Sequence, residues 1–176
     1  MISGKPRRED ALNAPRTACL VLAAAALAAC ADAPPPPGPV FESVRASLRA
    51  EDYGAIYDLL AAPERRRIAK EAEQMRADLA KRDADPELAE RLQGMAAALG
   101  TDLEGLAKLS DRELFARGTR AKPSAMLSRL AESEPLGEPL VEGETARQRV
   151  RLPGASGKIV EMRLVLEDGA WRLVLR

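Results

Sequence analysis

The stretch KIVEMRLVLEDGAWRLVLR, residues 158–176, decides the fold. Val160, Met162, Leu164 and Leu166 alternate with Glu161, Arg163 and Val165, and Trp171, Leu173 and Leu175 alternate with Arg172, Val174 and Arg176. A period of two sends successive side chains to opposite faces of a strand. Asp168-Gly169 stands between the two runs, and this pair closes tight hairpins because both central residues there need φ above zero. Upstream, Leu140-Val141 begins a strand that Gly143 turns, and Ala146, Val150 and Leu152 alternate with Arg147, Arg149 and Arg151. Connections this short predict an antiparallel meander of three or four strands over residues 138–176, apolar on one face and wet on the other.

Before residue 133 the period is that of a helix. Phe41, Val44 and Leu48 are followed, after Glu51-Asp52, by Tyr53, Ile56, Tyr57 and Leu60. Pro63 opens a helix with the stripe Ile68, Ala72, Met75 and Leu79. Asp85-Pro86-Glu87 starts another, striped by Leu88, Leu92, Met95 and Leu99 and stopped by Gly100, so the two form a helical hairpin. Thr101-x-x-Glu104 and Ser110-x-x-Glu113 are capping boxes, and Pro123 opens a last helix with Met126, Leu127 and Leu130. Helices over 41–132 followed by strands define the α+β class, with the helices packed on the apolar face of the sheet.

Composition narrows the function. The 176 residues hold 27 Lys+Arg and 27 Asp+Glu, so no bulk positive charge is present to hold nucleic acid. Histidine is absent, which excludes imidazole triads, His-ligated zinc and His proton switches. The cysteines are Cys19 and Cys30, and the aromatics are Phe41, Tyr53, Tyr57, Phe115 and Trp171.

The N-terminus reads as an address. Lys5, Arg7, Arg8 and Arg16 precede the apolar run ACLVLAAAALAA at 18–29. Twelve residues are too few to span the bilayer, which takes about 20, but they fit the apolar core of a secretory signal. The run closes with Leu27-Ala28-Ala29-Cys30, which resembles the lipobox of bacterial prolipoproteins. That resemblance implies that the Cys30 thiol takes a diacylglyceryl group, that cleavage falls just before it, and that the new amine is acylated. Cleavage there removes four of the 27 basic and two of the 27 acidic residues, leaving 23 and 25 in 147 residues and no free thiol. Ala31 in place of Asp implies the outer membrane, with the domain facing the periplasm. Residues 31–40, ADAPPPPGPV, read as a polyproline spacer reaching roughly 30 Å. The expected organisation is a signal peptide at 1–29, a lipidated Cys30 with linker to 40, and one domain at 41–176.

FESVRASLRAEDYGAIYDLL at 41–60 and VEGETARQRVRL at 141–152, with the 158–176 hairpin, resemble the NTF2-like, or cystatin-like, superfamily of small envelope lipoproteins. The resemblance implies a curved sheet wrapped on a helix as a cone, in a family that includes enzymes, transport factors and binding modules. Its enzymes commonly use an Asp–His pair or a Tyr–Asp set inside the cone. No His exists here, and Tyr57 and Asp58 are adjacent and so diverge on a helix, so no catalytic residue carries over. The helical stretch 63–132 is longer than that family usually carries.

No other motif supplies chemistry. Glu64, Glu71, Glu73 and Asp78 lie among Arg65, Arg66, Arg67 and Lys70 as solvated ion pairs. Asp83-Ala84-Asp85 lacks the frame of a calcium loop, and no phosphate-binding glycine loop occurs. The expectation is therefore a non-enzyme with no metal and no cofactor. Tyr53, Tyr57 and Trp171 are candidates for lining a pocket. Arg147, Arg149, Arg151, Arg163 and Arg172 fall on the sheet face opposite Trp171, a candidate dock for an anionic envelope component or protein partner. The expected function is a lipid-anchored envelope binding module, held to the membrane by its lipid. A small-molecule-binding or catalytic site inside the cone, or a structural role in an envelope-assembly or secretion complex, are the alternatives.

Overall fold

The structure, a computed structural model, describes residues 34–154 and 157–175. The signal segment, Cys30 with its lipobox, and Arg176 lie outside the described residues. Helices α1 (Gly38–Arg49), α2 (Tyr53–Leu59), α3 (Ala62–Lys81), α4 (Pro86–Ala98), α5 (Leu103–Lys108), α6 (Asp111–Ala121) and α7 (Ala125–Ala131) precede the strands. These are β1 (Glu134–Pro135), β2 (Leu140–Glu142), β3 (Thr145–Arg151), β4 (Ile159–Glu167) and β5 (Ala170–Val174). The fold is α+β, with a curved, unclosed antiparallel sheet. Its order is β1-β3-β4-β5, and β2 pairs with β3 beside β1.

The β3–β4 ladder sets which side chains face the helices. Ala146 pairs with Leu164, Gln148 with Met162 and Val150 with Val160. These residues point inward with Trp171 and Leu173 onto Phe41, Val44 and Leu48 of α1, Tyr53 and Ile56 of α2, and Leu130 of α7. Asp168 and Gly169 take φ of 51° and 75°, the conformation the β4–β5 turn requires. A second core lies in the helical hairpin, where Met75 and Leu79 of α3 meet Leu92 and Ala96 of α4, with Leu106 and Leu109 closing it.

Several boundaries differ from expectation, each for a local reason. The α1 helix begins at Gly38 with Pro37 as N-cap, and Pro37 is buried, so residues 37–40 belong to the domain rather than to a spacer. The Pro35 carbonyl also accepts a hydrogen bond of 2.6 Å from Trp171 Nε1. At α5 the cap is Asp102, whose carboxylate accepts from Gly105 N at 2.7 Å, in place of Thr101. A carboxylate at a helix N-terminus outcompetes a hydroxyl there. Ser124 caps α7, leaving Pro123 outside it. Asp85 caps α4 and Ser110 with Glu113 forms the full capping box, both as expected, and the bonds of that box hold the Glu113 carboxyl below the usual carboxylate range. The sheet starts at Glu134, four residues early, because the segment after α7 joins the β3 edge through β1 and a bond from Leu136 N to Arg149 O. Met95, expected in the core stripe of α4, is 40% exposed, because Leu92 and Ala96 face α3 instead.

Buried polar groups tie the layers together. Arg45 of α1 holds Glu42 at 2.8 Å and donates to the Ser133 carbonyl, while Arg49 Nε donates to the Ala131 carbonyl at 2.7 Å. Arg49 thus serves the negative end of α7, whose last carbonyls have no helical partner, and Arg45 holds the segment just after it. Arg45 Nε is buried without a hydrogen-bond partner among the described residues. Gln148, on the inner face of β3, donates to the Gly137 carbonyl at 3.0 Å and so pins the strap between β1 and β2.

Two expectations follow. Trp171→Ala should cost about 3–5 kcal/mol, because a fully packed aromatic leaves a cavity; a denaturant midpoint unchanged from wild type would contradict the packing. Arg45→Lys should cost about 1–3 kcal/mol, since a compact ammonium lacks the planar fork whose separate nitrogens reach Glu42 and Ser133, whereas Arg49→Lys on the exposed side should stay within about 0.5 kcal/mol. Equal losses in the two variants, measured by urea unfolding, would remove Arg45 from that role.

Candidate site on the outer sheet face

The outer face of the sheet carries what the β3–β4 alternation leaves over. Arg147 stands opposite Arg163, Arg149 opposite Glu161, and Arg151 opposite Ile159. On β5, Arg172 pairs with Val165 and Val174 with Arg163. The five arginines expected on one face are therefore together. Arg149, Arg151 and Arg163 are exposed, and Arg147 and Arg172 are half-buried.

Their charges are not equally free. Arg147 makes an ion pair with Glu142 of β2, and Arg163 lies 3.6 Å from Glu161. Arg172 donates to the Asp58 carbonyl at 3.1 Å. Arg149 and Arg151 make no ion pair among the described residues. The face is also less wet than alternation alone suggested. Leu140 is 57% and Ile159 44% exposed, and Val165 and Val174 lie half-buried between the arginines. Arginine is enriched at protein interfaces, while single exposed aliphatic side chains are common on any protein surface.

The candidate pocket residues lie apart. Tyr53 and Trp171 are buried in the sheet-side core, and Tyr57 packs at the α2–α6 contact with its ring centroid 5.8 Å from that of Phe115. Burial raises the Tyr57 pKa above the tyrosine norm of 10.0; nearby Asp111 adds to this and Arg65 opposes it. A depression of about 330 Å³ opens where α7 meets the end of β4 and β5, with Arg67, Ser124 and Glu161 among its lining residues. Its floor includes Val44 and Ile56, which are 2% and 1% exposed, so the inside of the sheet is filled by side chains. A second depression of about 380 Å³ lies between α3, α4 and α6, over Met75, Met95 and Leu99. Tyr53, Tyr57 and Trp171 line neither.

Among the described residues, no three His, Cys, Asp or Glu side chains converge as a metal site, and no helix is long and apolar enough to cross a membrane. No protein-family model, curated protein or solved structure matches the chain.

The Tyr57 environment can be read by titration. Its raised pKa favours the neutral phenol in the folded state, so this stabilisation is complete below the unfolded value near 10 and disappears as pH rises through the folded value. The tyrosinate absorbance should show one component rising later than a free tyrosine, and Tyr57→Phe should delete it. A late component that persists in the variant would assign the shift elsewhere.

Proposed function

We propose that this chain is a non-enzymatic, lipid-anchored binding module of the bacterial cell envelope, with its domain on the periplasmic side of the outer membrane. One observation carries the binding half of the reading. All seven helices of the described residues precede the sheet, and the core that α1, α2, α3, α6 and α7 share with it lies on its inner face, which leaves the arginine-bearing outer face uncovered. The filled inner face favours surface recognition over a ligand enclosed within a cone. The anchor half rests on Leu27-Ala28-Ala29-Cys30.

Several acyl chains, at about 0.8 kcal/mol per buried CH₂, make such an anchor stable.

Mass spectrometry of the mature N-terminal peptide should find diacylglyceryl-cysteine at Cys30. Cys30→Ala should move the chain out of the detergent-extracted membrane fraction. An unmodified Cys30, or membrane association that survives the substitution, would overturn the anchor.

A further inference from the structure

The depression of about 380 Å³ between α3, α4 and α6 lies where the two hydrophobic cores adjoin. On α3, Ile68 belongs to the sheet-side core and Met75 to the hairpin core. On α6, Phe115 packs against the first and Leu114 against the second. Met95 and Leu99, at the end of α4, make the third wall. Met95 continues the stripe of Leu88 and Leu92, yet it is 40% exposed and belongs to neither core. Gly118 also lines the cleft, one turn after Leu114 and Phe115 on the same face of α6. Glycine inside a helix weakens it, and no close approach requires one here: a β-carbon built on Gly118 meets nothing within 4 Å. The missing side chain leaves the cleft open.

We propose that this cleft is a binding site for one medium-length alkyl or acyl chain with an uncharged polar head. The inference concerns the domain alone and goes beyond the envelope reading. A concave, mostly apolar site between helices, of roughly 300–1,000 Å³, is the form small-molecule sites take. A protein partner needs about 800 Å² from each side, far more than a depression of this volume offers. Glu71 is the one charged residue among the described residues that line the cleft, and it already holds Arg67 at 2.8 Å. An ionised head therefore finds no free counter-charge, and a carboxylate would stand beside a carboxylate. Half-buried Thr119 offers a hydroxyl to an ester or alcohol head. Met75 and Met95 are unbranched and polarizable, so the walls adapt to a flexible chain.

The test is photolabelling of the full chain, held in a rigid steroid-type detergent, with monodecanoylglycerol carrying a diazirine in its acyl chain. Mass spectrometry of the digest should place a saturable label within 68–75, 95–99 and 114–119. Unlabelled monodecanoylglycerol should compete, and decanoate several-fold less well. G118L puts a side chain into the open space, so it should lose about tenfold or more of the affinity with a melting temperature at or above that of wild type. G118A, which adds one methyl group, should keep the label. M95E changes an exposed wall residue and should also lose it, which gives a second reading should G118L fold poorly. No saturable label, a label elsewhere in the chain, equal competition by decanoate, or a label that survives both G118L and M95E would overturn the proposal. A concentration-dependent dimer in sedimentation that M95E abolishes would overturn it too, assigning the cleft to a second copy.

Discussion

The register between β3 and β4 governs the rest of the molecule. With Ala146 opposite Leu164 and Val150 opposite Val160, every second residue of both strands enters the core, and the arginines must go outward. A slip of one residue would bury Arg147, Arg149 and Arg151 and expose Val150 and Leu164, an exchange far costlier than any gain in pairing. The Asp168-Gly169 turn then sets β5 in phase with β4, which puts Trp171 inward opposite Leu166. Trp171 in turn holds Pro35, so the N-terminal boundary of the domain follows from the same parity.

Elements with strong local signals were legible in the sequence. The α3–α4 hairpin, the full box at Ser110 and the β4–β5 hairpin each combine a periodic stripe with a cap or turn residue, and all three stand in the structure. Weaker signals failed where two local candidates competed. Thr101 and Asp102 both offer an N-cap to α5, and the carboxylate of Asp102 takes the position. Strand β1 has two residues, one of them proline, and exists because the β3 edge needs partners, a requirement invisible in its own composition.

The candidate face was legible in position but not in charge. Alternation placed Arg147, Arg149, Arg151, Arg163 and Arg172 together, yet pairing partners come from other strands and from α2, so their relief by Glu142, Glu161 and the Asp58 carbonyl needed three dimensions. The buried polar residues had a signal that a search for apolar stripes passes over. Arg45 lies in phase with Phe41 and Leu48, Glu64 with Ile68, and Gln148 with Ala146 and Val150. A polar residue in phase with a core stripe must be paired when buried, so it marks a tie between layers. Arg45 to α7 and Gln148 to the Gly137 strap are such ties.

The sheet's edges explain why recognition would fall to side chains on its face. The β5 edge is covered where Ala61 N donates to the Leu173 carbonyl and where Glu167 accepts from Ala62 N, so the start of α3 closes it. The opposite edge is made of two very short strands, interrupted by Pro135 and Pro139 and carrying Glu134, Glu138 and Glu142. Proline removes a donor and like charge repels an approaching strand, so this edge resists backbone pairing. With both edges closed to strand addition, the broad surface left is the outer face. Its exposed arginines keep their charge in water. Such a surface stays soluble while its planar guanidinium donors remain exposed, so the same side chains protect the sheet from aggregation and leave its face open.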